Sequence, residues 1–169
     1  MENRVDNEEF ANFASEVGGR LHNLALALCG SRADAEDLVQ TTLERLYRAW
    51  RPTTPDDPVA YARTVLVRTH ISDRRRPRWK REWSTPQPDE VTTGETGAAD
   101  RRVVLQQALA QLPKRQRQAV VLRYLEDLPI AEVAQLMRCG QGNVKRCAHD
   151  GLNGLRALLE SEHQQGARR

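Results

Sequence analysis

The stretch PIAEVAQLMRCGQGNVKRCAHDGLNGL, residues 129–155, decides the reading of this chain. Ile130, Val133, Ala134 and Met137 fall at helical spacing and give a short helix one apolar stripe, with Glu132 and Gln135 turned to water. Arg138-Cys139-Gly140 then interrupts the pattern, and Gly140 and Gly142 suit the sharp change of direction that a short interhelical turn needs. A second helix follows, with Val144, Ala148 and Leu152 to Leu155 on its buried side. Gln141, Asn143, Lys145, Arg146 and His149 lie on its outer side or flanks. These are donors able to reach base edges and phosphates from the first turns of a helix lying in a major groove. An ordinary helical hairpin with a solvated basic face is the competing reading. The order short helix, glycine turn, longer helix with polar first turns favours DNA recognition.

A chain of 169 residues holds one medium domain or two small ones. With 5% aromatic and 29% charged residues, its composition suits helices better than a sandwich or barrel. The net charge of +3 says little, but its distribution says more. From Arg68 to Arg81 seven basic residues face the single acid Asp73, for +6. From Trp83 to Asp100 four acids stand without a base, for −4, and from Arg101 onward twelve bases face six acids, for +6. Two basic blocks around an acidic strip suggest two contacts with a polyanion, joined by a segment that does not lie on it.

The N-terminal MENRVDNEEF lacks the order of a signal peptide, and no apolar run approaches membrane-spanning length, so a cytoplasmic protein with no membrane partner is expected. Cys29, Cys139 and Cys147 are odd in number and lack CxxC spacing, as befits reduced thiols. Cys147 and His149, two apart on a helix, point in different directions, so no metal site is expected. No cofactor motif is present either.

Upstream, Phe10, Phe13, Ala14, Val17, Leu21, Leu24, Ala25 and Leu28 keep a three-four rhythm, which predicts a helix over about 8–29 despite Gly18-Gly19. Ser31 is a good N-cap for a second helix with Asp34, Glu36 and Asp37 near its positive end. Its apolar side is Ala35, Leu38, Val39, Leu43, Leu46, Tyr47 and Trp50, and it ends before Arg51-Pro52. These two helices, packed face to face, are the expected core of an N-terminal unit. After the loop RPTTPDDP, a helix from about Val59 is basic at Arg63, Arg68, His70, Arg74, Arg75 and Arg76. It offers arginines to phosphates, with Tyr61 either stacking on an unpaired base or serving as a core aromatic.

Pro77 ends that helix, and WSTPQPDEVTTGETGAAD has the make-up of a linker. The expected organisation is all-α, with two small helical domains at 8–82 and 101–159 joined by a flexible acidic linker at 83–100. Helices over Arg101–Gln111 and Lys114–Tyr124 are expected to cover the helix-turn-helix through Val104, Leu105, Ala108, Leu109, Ala119, Val120, Leu122 and Tyr124.

ADAEDLVQTTLERLYRAW at 33–50, DDPVAYARTVLVRTHISDRRR at 56–76 and LPKRQRQAVVLRYLEDLPIAEVAQLMRCGQGNVKR at 112–146 together resemble the most recognisable blocks of extracytoplasmic-function (ECF) RNA polymerase sigma factors, group IV of the housekeeping sigma family. Two blocks correspond to sigma region 2 and one to region 4, in order over roughly residues 10–158. The resemblance implies an alternative bacterial sigma factor, not an enzyme, that binds core RNA polymerase and directs promoter recognition, DNA melting and initiation. It assigns Asp37, Leu38, Gln40, Thr41 and Glu44 to the β′ clamp helices of polymerase. Asp56, Asp57, Tyr61, Arg63 and Arg68, with the phosphate-facing Arg74, Arg75 and Arg76, fall to the −10 element. Gln141, Asn143, Lys145, Arg146 and His149 fall to the −35 element. The β flap and an anti-sigma factor are further implied partners. Tyr61 stands where many members have tryptophan, Arg68 where many have asparagine, Arg138 where glycine is frequent, and Asp150 where a DNA-facing arginine is common. A stand-alone helix-turn-helix regulator is the alternative, but no long heptad or sensor domain supplies the dimer it would need.

Overall fold

In the computed structural model the described residues are 2–50, 57–72 and 98–166, with side chains described at 7–50, 57–72 and 100–161. All the elements among them are helical: α1 (Glu2–Cys29), α2 (Arg32–Ala49), α3 (Pro58–Ser72), α4 (Ala98–Gln111), α5 (Lys114–Val120), a π-helical turn (Val121–Leu125), α6 (Ile130–Met137) and α7 (Gln141–Gly166). The chain divides into two compact units, one formed by Met1–Leu26 and Arg32–Trp83, the other by Ala27–Ser31 and Ser84–Arg169. Residues 83–97 of the expected linker lie outside the described residues, while 98–100 already belong to α4.

In the N-terminal unit α1 runs unbroken through Gly18-Gly19. The buried residues come from three helices, where two were expected: Val17, Leu21, Leu24 and Ala25 of α1, Ala35, Leu38 and Leu46 of α2, and Ala62, Leu66 and Val67 of α3. Hydroxyls enter this core because they are satisfied within it: Thr42 Oγ1 donates to the Leu38 carbonyl at 2.7 Å and Thr69 Oγ1 to that of Val65 at 2.7 Å. Arg45 Nη1 of α2 donates to Thr69 Oγ1 of α3 at 3.0 Å and ties the two helices together. The first two helices meet through rings. Phe10 lies edge-on to Tyr47 and Trp50 at centroid distances of 5.1 and 5.2 Å, and Phe13 meets Trp50 at 5.0 Å.

In the C-terminal unit Ala108, Leu109, Leu112, Ala119, Val120, Val121, Leu122, Leu128, Val133, Ala134, Leu136, Met137, Val144 and Ala148 are buried. Gly151 is buried as well, because α7 crosses α5 so closely that a Cβ there would stand 2.6 Å from Val120 Cγ2 and 3.1 Å from the Gln116 carbonyl. Only glycine admits that approach.

Two local features differ from the expected pattern. The helix expected over Lys114–Tyr124 widens into the π turn, with Glu126 N donating to the Val121 carbonyl at 3.1 Å. The wider turn carries Tyr124 and Leu125 off the buried face, leaving them 52% and 47% exposed, so Tyr124 does not cover the helix-turn-helix. At the end of α6 the left-handed residue is Arg138 (φ 52°, ψ 52°), while neither Gly140 nor Gly142 has a positive φ. Arg138 N donates to the Gln135 carbonyl at 3.2 Å and Cys139 N to that of Ala134 at 3.0 Å, the paired bonds of a Schellman cap. The turn is therefore made by the capping geometry of α6, and a side-chain-bearing residue there costs about 1–2 kcal/mol in conformational energy.

Candidate nucleic-acid and polymerase interfaces

Three surfaces collect the residues singled out in the sequence, one each on α2, α3 and α7. On α2, Asp37, Gln40 and Glu44 are exposed and Thr41 is half-buried, all on one stripe at helical spacing. Gln40 Nε2 donates to Glu44 Oε1 at 3.5 Å. Leu38 is only 5% exposed, so its side chain belongs to the core and seats the helix without lying on that stripe. Beside the stripe, Phe10, Val39, Leu43 and Tyr47 line an open apolar groove of about 440 Å³ with Glu36 and Glu44 at its edge. No local pattern signals this groove, because it exists only once α1 lies along α2.

On α3, Asp57 serves as N-cap: its Oδ1 accepts from Ala60 N at 2.9 Å, and Pro58 follows in the first helical position. Tyr61 is 42% exposed, which decides against a core role, and Arg68, seven residues on, shares its outward face. Arg63 is half-buried and falls on another side of the helix, so it does not join them. Asp56, Arg74, Arg75 and Arg76 lie outside the described residues.

On α7, Val144, Ala148 and Gly151 turn inward. Lys145, Arg146 and His149 project from the opposite face, with Gln141 exposed at its start and Asp150 exposed at its edge. Asn143 is half-buried on the flank, where its Oδ1 accepts from Arg146 Nη2 at 3.0 Å and from Cys147 Sγ at 3.7 Å. His149 Nε2 and Asn153 Nδ2 are hydrogen-bonded at 3.1 Å. The outward face is thus a ridge of nitrogen donors on a helix long enough to lie in a groove, anchored from behind by apolar contacts.

Two positioning groups escaped the sequence reading. Arg115 Nη1 of α5 donates to the Met137 carbonyl at 2.9 Å, satisfying a carbonyl that the end of α6 leaves without a helical partner. A basic residue fifteen positions upstream of the helix-turn-helix carries no signal for such a clamp. Gly151 did carry one, since it sits in the apolar stripe after Val144 and Ala148. Arg117 Nη1 donates to the Ala110 carbonyl at 3.1 Å, and burial lowers its guanidinium pKa. Among the described residues no group of three or more His, Cys, Asp or Glu is placed to hold a metal ion, and no helix is long and apolar enough to cross a membrane.

Comparison with known proteins gives matches over both units. Residues 13–80 match the family model of sigma-70 region 2 and residues 102–152 that of sigma-70, region 4. The RNA polymerase sigma-E factor of Streptomyces avermitilis is 33% identical over 155 residues, covering 90% of this chain and 86% of that protein. The ECF RNA polymerase sigma factor SigL of Mycobacterium tuberculosis is 34% identical over 149 residues, covering 83% and 82%. Among solved structures, the sigma factor RpoE of Bartonella quintana, crystallised with the anti-sigma factor NepR, superposes with a TM-score of 0.68 at 23% identity over 90% of this chain and 98% of that one.

Proposed function

We propose, for a chain that belongs to the ECF sigma factors and as an alternative sigma factor directs transcription initiation by core RNA polymerase at promoter DNA, a division of labour among its three surfaces. A stand-alone DNA-binding regulator is not favoured, since region 2 matches as fully as region 4.

The stripe Asp37, Gln40, Thr41 and Glu44 docks on the β′ clamp helices, and the apolar groove beside it receives a partner's apolar side chains. Tyr61 and Arg68 face the −10 element. Tyr61 is the surface on which an extruded base stacks, and Arg68 lies beside it with a charge for the adjoining phosphate. Asp57 orders the start of that helix by capping it. Arg74, Arg75 and Arg76 extend the basic run toward the strand backbone. Opening the duplex needs no catalytic side chain, because capturing exposed bases offsets an unstacking cost of a few kcal/mol per step. The chain is accordingly a binding and positioning subunit with no reaction of its own, working in the cytoplasm.

The −35 element is read by α7. The observation that carries this is the opposition of its two faces, Val144, Ala148 and Gly151 buried behind Lys145, Arg146 and His149. Gln141 and Asn143 act at the end that enters the groove first. Region 4 also meets the β flap. The similar sigma factor RpoE was crystallised with an anti-sigma factor, and an anti-sigma protein covering the α2 surface would keep this chain from polymerase.

The test is run-off transcription with core polymerase and a promoter carrying both elements. Asp37→Arg should abolish core binding and transcription while the variant remains folded, and unchanged initiation would refute the docking surface. Arg146→Ala should lower initiation only at promoters that depend on a −35 element, and each lost bidentate contact is worth about 1–3 kcal/mol. Gel shift of duplex DNA by the free chain should stay weak, and a tight, polymerase-independent complex would overturn the assignment of roles.

A further inference from the structure

Arg138 is exposed and left-handed, with φ 52° and ψ 52°. Glycine, or less often asparagine, is the ordinary occupant of this position in a Schellman cap, because a side chain there is strained. The cap itself does not need arginine: its two bonds are made by the backbone amides of Arg138 and Cys139. The neighbouring Met137 carbonyl is already held by Arg115. Among the described residues no carboxylate or carbonyl engages the Arg138 guanidinium, so nothing within the unit accounts for the side chain that the strain retains. A retained outlier of this kind points to a role outside the fold.

Its place indicates the role. The chain from Arg138 to Gln141, where α7 begins, spans at most about 11 Å, so the exposed Arg138 lies within side-chain reach of the first turn of the helix that presents Lys145 and Arg146. Farther along α7 the exposed Asp150 repels phosphate, so backbone contacts gather at the turn end of the helix. We propose that Arg138 is a phosphate anchor: it binds the DNA backbone flanking the −35 element, fixing how α7 enters the groove while reading no base itself. This rests on the placing of α7 in the −35 groove proposed above.

The experiment uses the full chain with core polymerase on a duplex promoter, titrated over a range of salt, together with thermal melting of the chain alone. Arg138→Gly relieves the strained backbone and removes the charge. It should melt at a higher temperature and yet bind promoter several-fold more weakly, with the slope of log K against log salt shallower by about 0.9, the share of one phosphate. The loss should be the same with the −35 bases scrambled, whereas a base-reading residue loses its effect there. Arg138→Lys should keep the wild-type slope. Arg138→Asn, which tolerates the left-handed conformation, should repeat the glycine result and serves if the glycine variant folds poorly. Wild-type promoter affinity and slope in the glycine or asparagine variant would overturn the proposal, as would a loss confined to core-polymerase binding. Lys145→Ala and Arg146→Ala separate the two levels. If both leave promoter binding unchanged, the placing of α7 falls and the anchor with it; if they weaken it while Arg138→Gly does not, the anchor alone falls.

Discussion

The two units solve helix packing in opposite ways. In the N-terminal unit α1 meets α2 by interposing bulk, the rings of Phe10, Phe13, Tyr47 and Trp50 at centroid distances of 5.0 to 6.2 Å. In the C-terminal unit α7 meets α5 by removing bulk, at Gly151, where a Cβ would lie 2.6 Å from Val120. Rings leave an open groove along the seam, and that groove adjoins the α2 stripe proposed to meet polymerase. A glycine crossing leaves no such space and fixes α7 against its support, as the base-reading role proposed for it requires. On that proposal, space is kept where a large partner docks, and closeness where geometry must be held.

The largest expected effect tests the ring seam. Phe10→Ala should destabilise the chain by about 3 kcal/mol, the low end for loss of a large aromatic because Phe10 is only half-buried, while Phe10→Leu should recover much of it in chemical denaturation. An unchanged midpoint would mean the rings do not hold α1 to α2. Next, Gly151→Ala should cost about 1–2 kcal/mol, since overpacking against Val120 and the Gln116 carbonyl outweighs the helix-propensity gain. A stabilised variant would show that the crossing is not tight. Smaller again, Arg115→Ala should cost about 1 kcal/mol by stripping the Met137 carbonyl of its charged donor, and should lower −35-dependent initiation more than initiation that needs only the −10 element. Last, Gly19→Ala, where a Cβ meets nothing within 4 Å, should stabilise the chain by up to about 1 kcal/mol and leave transcription as it was.

Much of the fold was legible because apolar residues recur at the helical period. The rhythm from Phe10 to Leu28 placed α1, Ser31 and Arg51-Pro52 bracketed α2, and Pro113 marked the start of α5. The outward residues of α7 were legible for the same reason, since the period that buries Val144 and Ala148 turns Lys145, Arg146 and His149 outward. Periodicity failed at Tyr124, where a π turn shifts the register, but held at Leu38, which falls on the apolar side and is buried, while its place in a docking motif says nothing of the side it faces. It is silent at the interhelical turn, because glycine's freedom does not dictate its use: Gly140 and Gly142 are available, yet Arg138 adopts the left-handed conformation.

The order of residues alone thus determined the helices, their inner and outer faces and the family, all of which follow from spacing along one chain segment. Only the folded molecule decided that three helices build the first core, that Gly151 sets the crossing of α7, that Arg115 holds the end of α6 and that Tyr61 is exposed. Each of these depends on what a distant segment brings within a few ångströms, and no local period encodes that.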